Sequence, residues 1–230
     1  MASKFKGFPA ETFDFLSDLG ENNDREWFAK NRDRYESSFL TPALDFIEAI
    51  KKPLDRAAPC LVAEPKKSGG SLLRIYKDTR FSKDKTPYKT NLGIQFRHMA
   101  GKDIHAPGIY VHIACDECFL GAGMWRPPGD VVKAVRAYIE ASDSDWKKMR
   151  RGKKFREAFE MYDDRLKTAP RGVAKDHPLI DELRLKSYIG MAKLSRRELQ
   201  SEGVVDQTIK LIRAARPLMI ALCAATNQPY

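Results

Sequence analysis

LLRIYKDTRFSKDKTPYKTNLGIQF, residues 72–96, sets two apolar runs on either side of a dense block of charge. Leu72, Leu73, Ile75 and Tyr76 predict one β-strand, and Leu92, Ile94 and Phe96 predict a second. Residues 74–89 hold Arg74, Lys77, Arg80, Lys83, Lys85 and Lys89 against only Asp78 and Asp84, an excess of four positive charges. The segment therefore reads as a long connection between strands. Connections of that length without secondary structure of their own commonly carry function. Six cations repel one another unless anions stand among them. The aspartates supply part of that neutralisation, and an anionic ligand is the natural source of the rest.

Working outward, residues 91–98, 108–115 and 118–125 each read as strands, and with 72–76 they predict a mostly antiparallel meander. Alternation places Leu92, Ile94, Phe96 and His98 on one face of the first of these and Gln95 and Arg97 on the other. In the next, Ile109, Val111 and Ile113 oppose Tyr110 and His112. One face is expected to pack on helices. The other is expected to be a polar floor holding Arg74, Tyr76, Gln95, Arg97, Tyr110 and His112. Gly121 and Gly123, alternating along the last strand, mark either a close packing contact or the border of a cavity.

Helical patterns flank this centre. Pro9 opens a helix with Phe15, Leu16 and Leu19 inward and Gly20 at its end. Asn23 and Glu26 are spaced as a capping box for a second helix carrying Trp27 and Phe28. Thr41-Pro42 restarts the pattern, which Pro53 is expected to kink or end. After Arg126-Pro127-Pro128, a helix with Val135 and Ile139 inward carries Arg136. Residues 186–192 predict a further strand at the sheet edge, and 203 to about 225 predict a long closing helix. The fold class is α+β: a central, mostly antiparallel sheet of about four to five strands flanked by N-terminal and C-terminal helices. No Gly/Ser/Pro-rich linker divides the 230 residues, so a single domain over 1–230 is expected, with a helical part (1–58), the sheet with its basic loop (71–125) and a mainly helical part (126–230).

The formal net charge of +10 favours acidic partners, either a phosphorylated small molecule or nucleic acid. The almost wholly basic run 147–154 reads as a solvated helix face or as a phosphate-backbone contact patch. The first fifteen residues contain no apolar run of the signal-peptide kind, and the longest apolar stretch, 217–225, is too short to span a bilayer. A cytoplasmic location without a membrane span is therefore expected. Cys115 and Cys118 form a CxxC with no second pair to complete four metal ligands, so no metal site is expected there. His177 before Pro178 reads as a turn or cap residue.

Several spacings together are similar to one bacterial family, the domain of unknown function 2461. Arg74-x-x-Lys77-Asp78-x-Arg80-Phe81-x-x-Asp84-Lys85-x-x-Tyr88 resembles the family's RxxRDxRFxxDKxxY signature. Residues 19–28, with Asn22-Asn23 and Trp27-Phe28, resemble its LxxNNxxxWF segment. Arg126-Pro127 with Arg136 resembles RPxxxxLxxxR, and His177-Pro178-Leu179 resembles a later landmark. Lys77 stands where the family has arginine, so no planar bidentate fork is available at that position. Val132 stands where it has leucine. The resemblance implies no assigned activity.

The residues themselves suggest an anion site formed by Arg74, Lys77, Arg80, Lys83, Lys85, Tyr88 and Lys89. Asp78 and Asp84 would hold the cations, Phe81 would pin the loop, and Tyr88 would donate a hydrogen bond or stack on a base. Asn22, Asn23, Trp27, Tyr110, His112, Arg126 and Arg136 are candidate lining residues. Two other readings stay open. One is a metal-dependent phosphate-ester hydrolase or nuclease using Asp78, Asp84 and His112, and the other is a structural or partner-binding protein whose motif is an ion-pair network. Whether the chain is an enzyme, and which cofactor it would take, stay undetermined at this point. No GxSxG or Walker-type spacing is present.

Overall fold

A computed structural model describes residues 5–80, 82–101 and 107–230. Phe81 lies outside the described residues. The fold mixes helix and strand, with one antiparallel sheet and helices at both ends of the chain.

Among the described residues, helices α1 (Ala10–Glu21), α2 (Arg25–Lys30) and α3 (Arg32–Arg34) lead through a π-helical stretch, Tyr35–Leu40, into α4 (Thr41–Ala57). The strands are β1 (Leu61–Val62), β2 (Asn91–His98), β3 (Gly108–Ala114), β4 (Cys118–Met124), β5 (Glu160–Met161) and β6 (Tyr188–Lys193). Helices α5 (Gly129–Ala141), α6 (Asp143–Arg151), α7 (Lys153–Ala158), α8 (Ile180–Leu183), α9 (Arg196–Leu199) and α10 (Val204–Ala225) complete the chain. The sheet has the spatial order β1-β2-β3-β4-β6-β5.

The register shows why one face is dry. Ile94, Val111, Leu120 and Ala192 align across β2, β3, β4 and β6, and Phe96, Ile109 and Ala122 form the next row. All seven are buried. Helix α10 packs on β4 and on α4, closing this face. Each large apolar side chain removed from water here contributes about 1.5–3 kcal/mol. His98, on the same face, is satisfied in the core: its Nδ1 accepts from Ala100 N at 3.1 Å, and its Nε2 lies 2.7 Å from Pro229 O.

Three expectations need correction. Residues 72–76 are not a strand: among the described residues they reach the sheet through the isolated bridge of Leu72 to Ile94 and the bond from Leu73 N to Gly93 O, while the bridge of Tyr76 is to Tyr88, outside the strands. The physical reason is burial: Leu72 and Ile75 are the inward residues, and a spacing of three breaks the two-residue alternation a strand requires. Consequently Arg74 and Tyr76 turn to solvent rather than joining Gln95 and Tyr110 on the sheet floor. Strand β6 is interior rather than an edge, because β5 pairs with its outer side. Of the two outcomes expected at Pro53, an end to the helix is the one overturned: α4 continues to Ala57, carried by the buried Leu54 and Ala57 beyond it.

Candidate functional site

The basic loop is closed at its base by main-chain pairing. Lys77 N donates to Pro87 O at 2.9 Å, and Lys89 N donates to Ile75 O at 2.7 Å, on either side of the bridge between Tyr76 and Tyr88. Asn23 fastens this base to the N-terminal helices: its Nδ2 donates to Tyr88 O and its Oδ1 accepts from Tyr88 N, both at 3.0 Å. Asn23 therefore does not cap α2. Asp24 does, accepting from Trp27 N at 2.9 Å. The Tyr88 ring stacks on Phe28, with centroids 4.1 Å apart and planes at 13°, and is buried. The ring left open to solvent is Tyr76, 52% exposed and 5.3 Å from Tyr88.

Within the loop, each aspartate selects one cation. Arg80 grips Asp78 in a fork, Nε to Oδ1 at 2.9 Å and Nη2 to Oδ2 at 2.7 Å. These bonds hold the Asp78 carboxyl well below the usual carboxylate range and raise the Arg80 pKa. Asp84 takes Lys77 at 2.8 Å and also accepts from Thr86 N and Thr86 Oγ1, which likewise depresses its pKa. Lys85 Nζ donates to Thr79 O and Lys89 Nζ to Arg74 O, each at 3.0 Å. A carbonyl satisfies the hydrogen bond but carries no compensating charge. Burial, followed by the nearby Arg74 charge, lowers the Lys89 pKa. Arg74 and Lys83 are exposed and form no ion pair among the described residues.

A cleft of about 730 Å³ opens beside this loop. Arg25 and Asp24 line it from α2, Lys77, Lys85, Thr79 and Thr86 line it from the loop, and Tyr76 lines its wall. Of the predicted anion contacts, Lys77, Lys85 and Tyr88 meet here together with Asn23, whereas Arg74, Arg80, Lys83 and Lys89 lie outside the lining. Arg25 is the residue the sequence did not single out. Nothing in its neighbourhood marks it, because α2 is brought to the loop by long-range contacts, the pairing of Asn23 with Tyr88 and the stacking of Phe28 on the Tyr88 ring.

The remaining candidates lie elsewhere. Asn22 bonds back to Asp18 O at the end of α1, and Trp27 packs on Phe15. Tyr110 and His112 are joined on the other face of the sheet: Asn91 Nδ2 donates to Tyr110 Oη at 3.2 Å, and Tyr110 Oη lies 3.1 Å from His112 Nδ1. Burial lowers the His112 pKa. Arg126 and Arg136 share a separate hollow of about 480 Å³ with Asp164 and Lys186. Arg136 is spent structurally, donating Nε to Leu183 O at 2.6 Å and Nη2 to Leu185 O at 3.3 Å.

The basic run 147–154 forms the outer side of α6 and the start of α7, with Trp146, Met149 and Phe155 buried beneath it. Its members partly pair with acids, Lys147 with Asp143 at 2.7 Å and Arg150 with Glu182 at 2.8 Å. His177 acts as a turn residue, its Nδ1 accepting from Leu179 N at 3.1 Å. Among the described residues, no group of three or more His, Cys, Asp or Glu is placed to hold a metal ion, and no helix is long and apolar enough to cross a membrane.

Comparison with curated proteins and with solved structures gave no match. Residues 11–220 match the family model described as "Conserved hypothetical protein (DUF2461)", so the chain belongs to that family.

Proposed function

We propose that the protein binds a phosphorylated or nucleotide-like anion in the cleft between α2 and the basic loop. The observation that carries this reading is the residual charge. Asp78 and Asp84 neutralise Arg80 and Lys77, while the ammonium groups of Lys85 and Lys89 rest on carbonyl oxygens and form no ion pair among the described residues. A phosphate oxygen reaching Lys85 and Arg25 would meet two cations that form no ion pair among the described residues, beside the Thr79 hydroxyl and the exposed Tyr76 ring on which a base can stack. A cytoplasmic setting, rich in phosphorylated metabolites, fits this chemistry.

The pairing of both loop aspartates weighs against metal-dependent ester hydrolysis, which requires two or three carboxylates turned toward a divalent ion. It also gives the ion-pair network a structural share, since the two pairs fix the loop's shape whatever binds there.

Thermal unfolding in low salt with pyrophosphate, ATP and a short oligonucleotide tests the proposal. Pyrophosphate or ATP at hundredfold excess over Kd stabilises the fold by about 2.7 kcal/mol, a Tm rise of about 5 °C or more. Lys85→Ala and Arg25→Ala abolish the rise, while Lys83→Ala leaves most of it. A Tm indifferent to all three ligands, or a rise untouched by Lys85→Ala, removes the reading. If only the oligonucleotide stabilises, and charge reversal in the 147–154 run abolishes that effect, the partner is nucleic acid bound elsewhere.

A further inference from the structure

The sheet face turned away from α10 carries a second, chemically different hollow. Its rows are fixed by the register: Gln95, Tyr110, Gly121 and Met191 align in one, and Arg97, Gly108, Gly123 and Ile189 in the next. Three of these eight positions are glycines, so the face is dented where side chains are missing. The dent is about 410 Å³, within the range of small-molecule sites, and its walls are Tyr110, Phe119, Trp125, Tyr162 and Met191.

Gly121 and Gly123 differ in why they are glycine. Gly123 has φ +132°, and a Cβ there would fall 1.9 Å from Tyr188 O, so the backbone demands it. At Gly121 a Cβ would meet Ile189 and Met191 only at 3.6 and 3.7 Å, ordinary van der Waals contact. Neither conformation nor packing requires glycine at 121, and its effect is to keep the hollow open.

The polar side chains of the lining include Tyr110, the exposed Glu117 and the buried Gln95. Gln95 is 5% exposed, lines the hollow, and its Oε1 is buried with no hydrogen-bond partner among the described residues. An unbonded amide oxygen in such a place loses its hydration without recompense, and a ligand donor restores it. A carboxamide can also turn over about its terminal bond, so the same side chain can offer either an acceptor or a donor. Trp125 and Tyr162, with ring centroids 5.0 Å apart and planes tilted at 53°, form the aromatic wall.

We infer that this hollow binds a planar heteroaromatic small molecule whose edge carries adjacent hydrogen-bond donor and acceptor atoms, the edge meeting Gln95 and the ring facing Trp125 and Tyr162. The site is independent of the cleft beside the basic loop.

Trp125 provides the readout. Titration with adenine, nicotinamide and lumichrome, followed by tryptophan fluorescence, is expected to show saturable quenching by at least one of them, lost in Trp125→Phe. Gly121→Val fills the dent and abolishes the quenching without lowering the melting temperature. Gln95→Leu weakens binding about tenfold for the heterocycle and leaves the binding of benzene unchanged. Absence of saturable quenching by any of the three, or binding that survives Gly121→Val, overturns the inference. So does dimerisation of the free protein that Gly121→Val abolishes, which would assign the dent to a second copy.

Discussion

Asn23 and Tyr88 are joined as two strands are joined, although one partner is a side chain. The Asn23 carboxamide donates to Tyr88 O and accepts from Tyr88 N, both at 3.0 Å, across 65 residues of sequence. The amide thus completes the outer side of a loop base whose inner side pairs with residues 75–77. Asn23→Ala removes both bonds and leaves two main-chain groups to find water, a loss of about 1–3 kcal/mol. The Tyr88 amide proton is then expected to exchange faster, as measured by hydrogen exchange, and pyrophosphate affinity to fall because α2 and the loop no longer hold a fixed separation. A Tyr88 amide as protected as in the parent protein contradicts this coupling.

The same pair shows what could be read in the chain and what could not. Strand β2 runs over the predicted residues, and β3 and β4 each end one residue early, because two-residue alternation of large apolar side chains is a local property that burial enforces directly. The two-residue strands β1 and β5 carry no such period and were not legible. At 72–76 the composition suited a strand, but tertiary packing selected Leu72 and Ile75 and bent the chain between them. At the site, the charge surplus of the loop was legible as composition. Which aspartate takes which cation was not, since Asp84 reaches back seven residues to Lys77 and passes over its neighbour Lys85. Asn23 has the sequence position of a cap, a purpose Asx residues often serve, and only the fold reveals its partner 65 residues away.

The loop's order is expected to survive mild acid. Asp78 and Asp84 have folded pKa values depressed by Arg80 and by Lys77 with Thr86, respectively. A depressed carboxylate stabilises the fold fully above its unfolded pKa of about 3.9, and that contribution is lost as pH falls through the lower folded value. NMR spectra of the Thr86 amide, whose donor bond goes to Asp84 Oδ1, should therefore change little between pH 7 and pH 5 and shift only in strong acid. Movement of that resonance centred on an ordinary carboxylate pKa would show that the pairs do not form in solution.

His112 acts in the same direction but in a milder pH window. Burial lowers its pKa, and its ring is stacked on Phe119 with centroids 4.7 Å apart and planes at 5°. The unfolded chain binds a proton at His112 near pH 6.5 while the folded chain does so only at lower pH, so stability falls as pH drops from about 6.5 through the folded pKa. His112→Phe keeps the stacking area and removes the titration, and it is expected to flatten the dependence of urea midpoint on pH in that window. A midpoint that varies with pH equally in the variant assigns the effect to another group.

Arg136 tests whether the second cluster of basic residues is scaffold. Its guanidinium spans Leu183 O and Leu185 O, two carbonyls on either side of the turn that delivers the chain from α8 toward β6. A lysine has similar reach and the same charge but a single point of donation, so it cannot hold both oxygens in one plane. Arg136→Lys should lower stability in urea by about 1.5–3 kcal/mol, the scale of one charge-assisted bond lost. The affinity for pyrophosphate should not change, because Arg136 lies in a hollow apart from Arg25, Lys77 and Lys85. Unchanged stability together with lost anion binding would reverse the assignment and move the anion site to the hollow that Arg136 shares with Arg126 and Lys186.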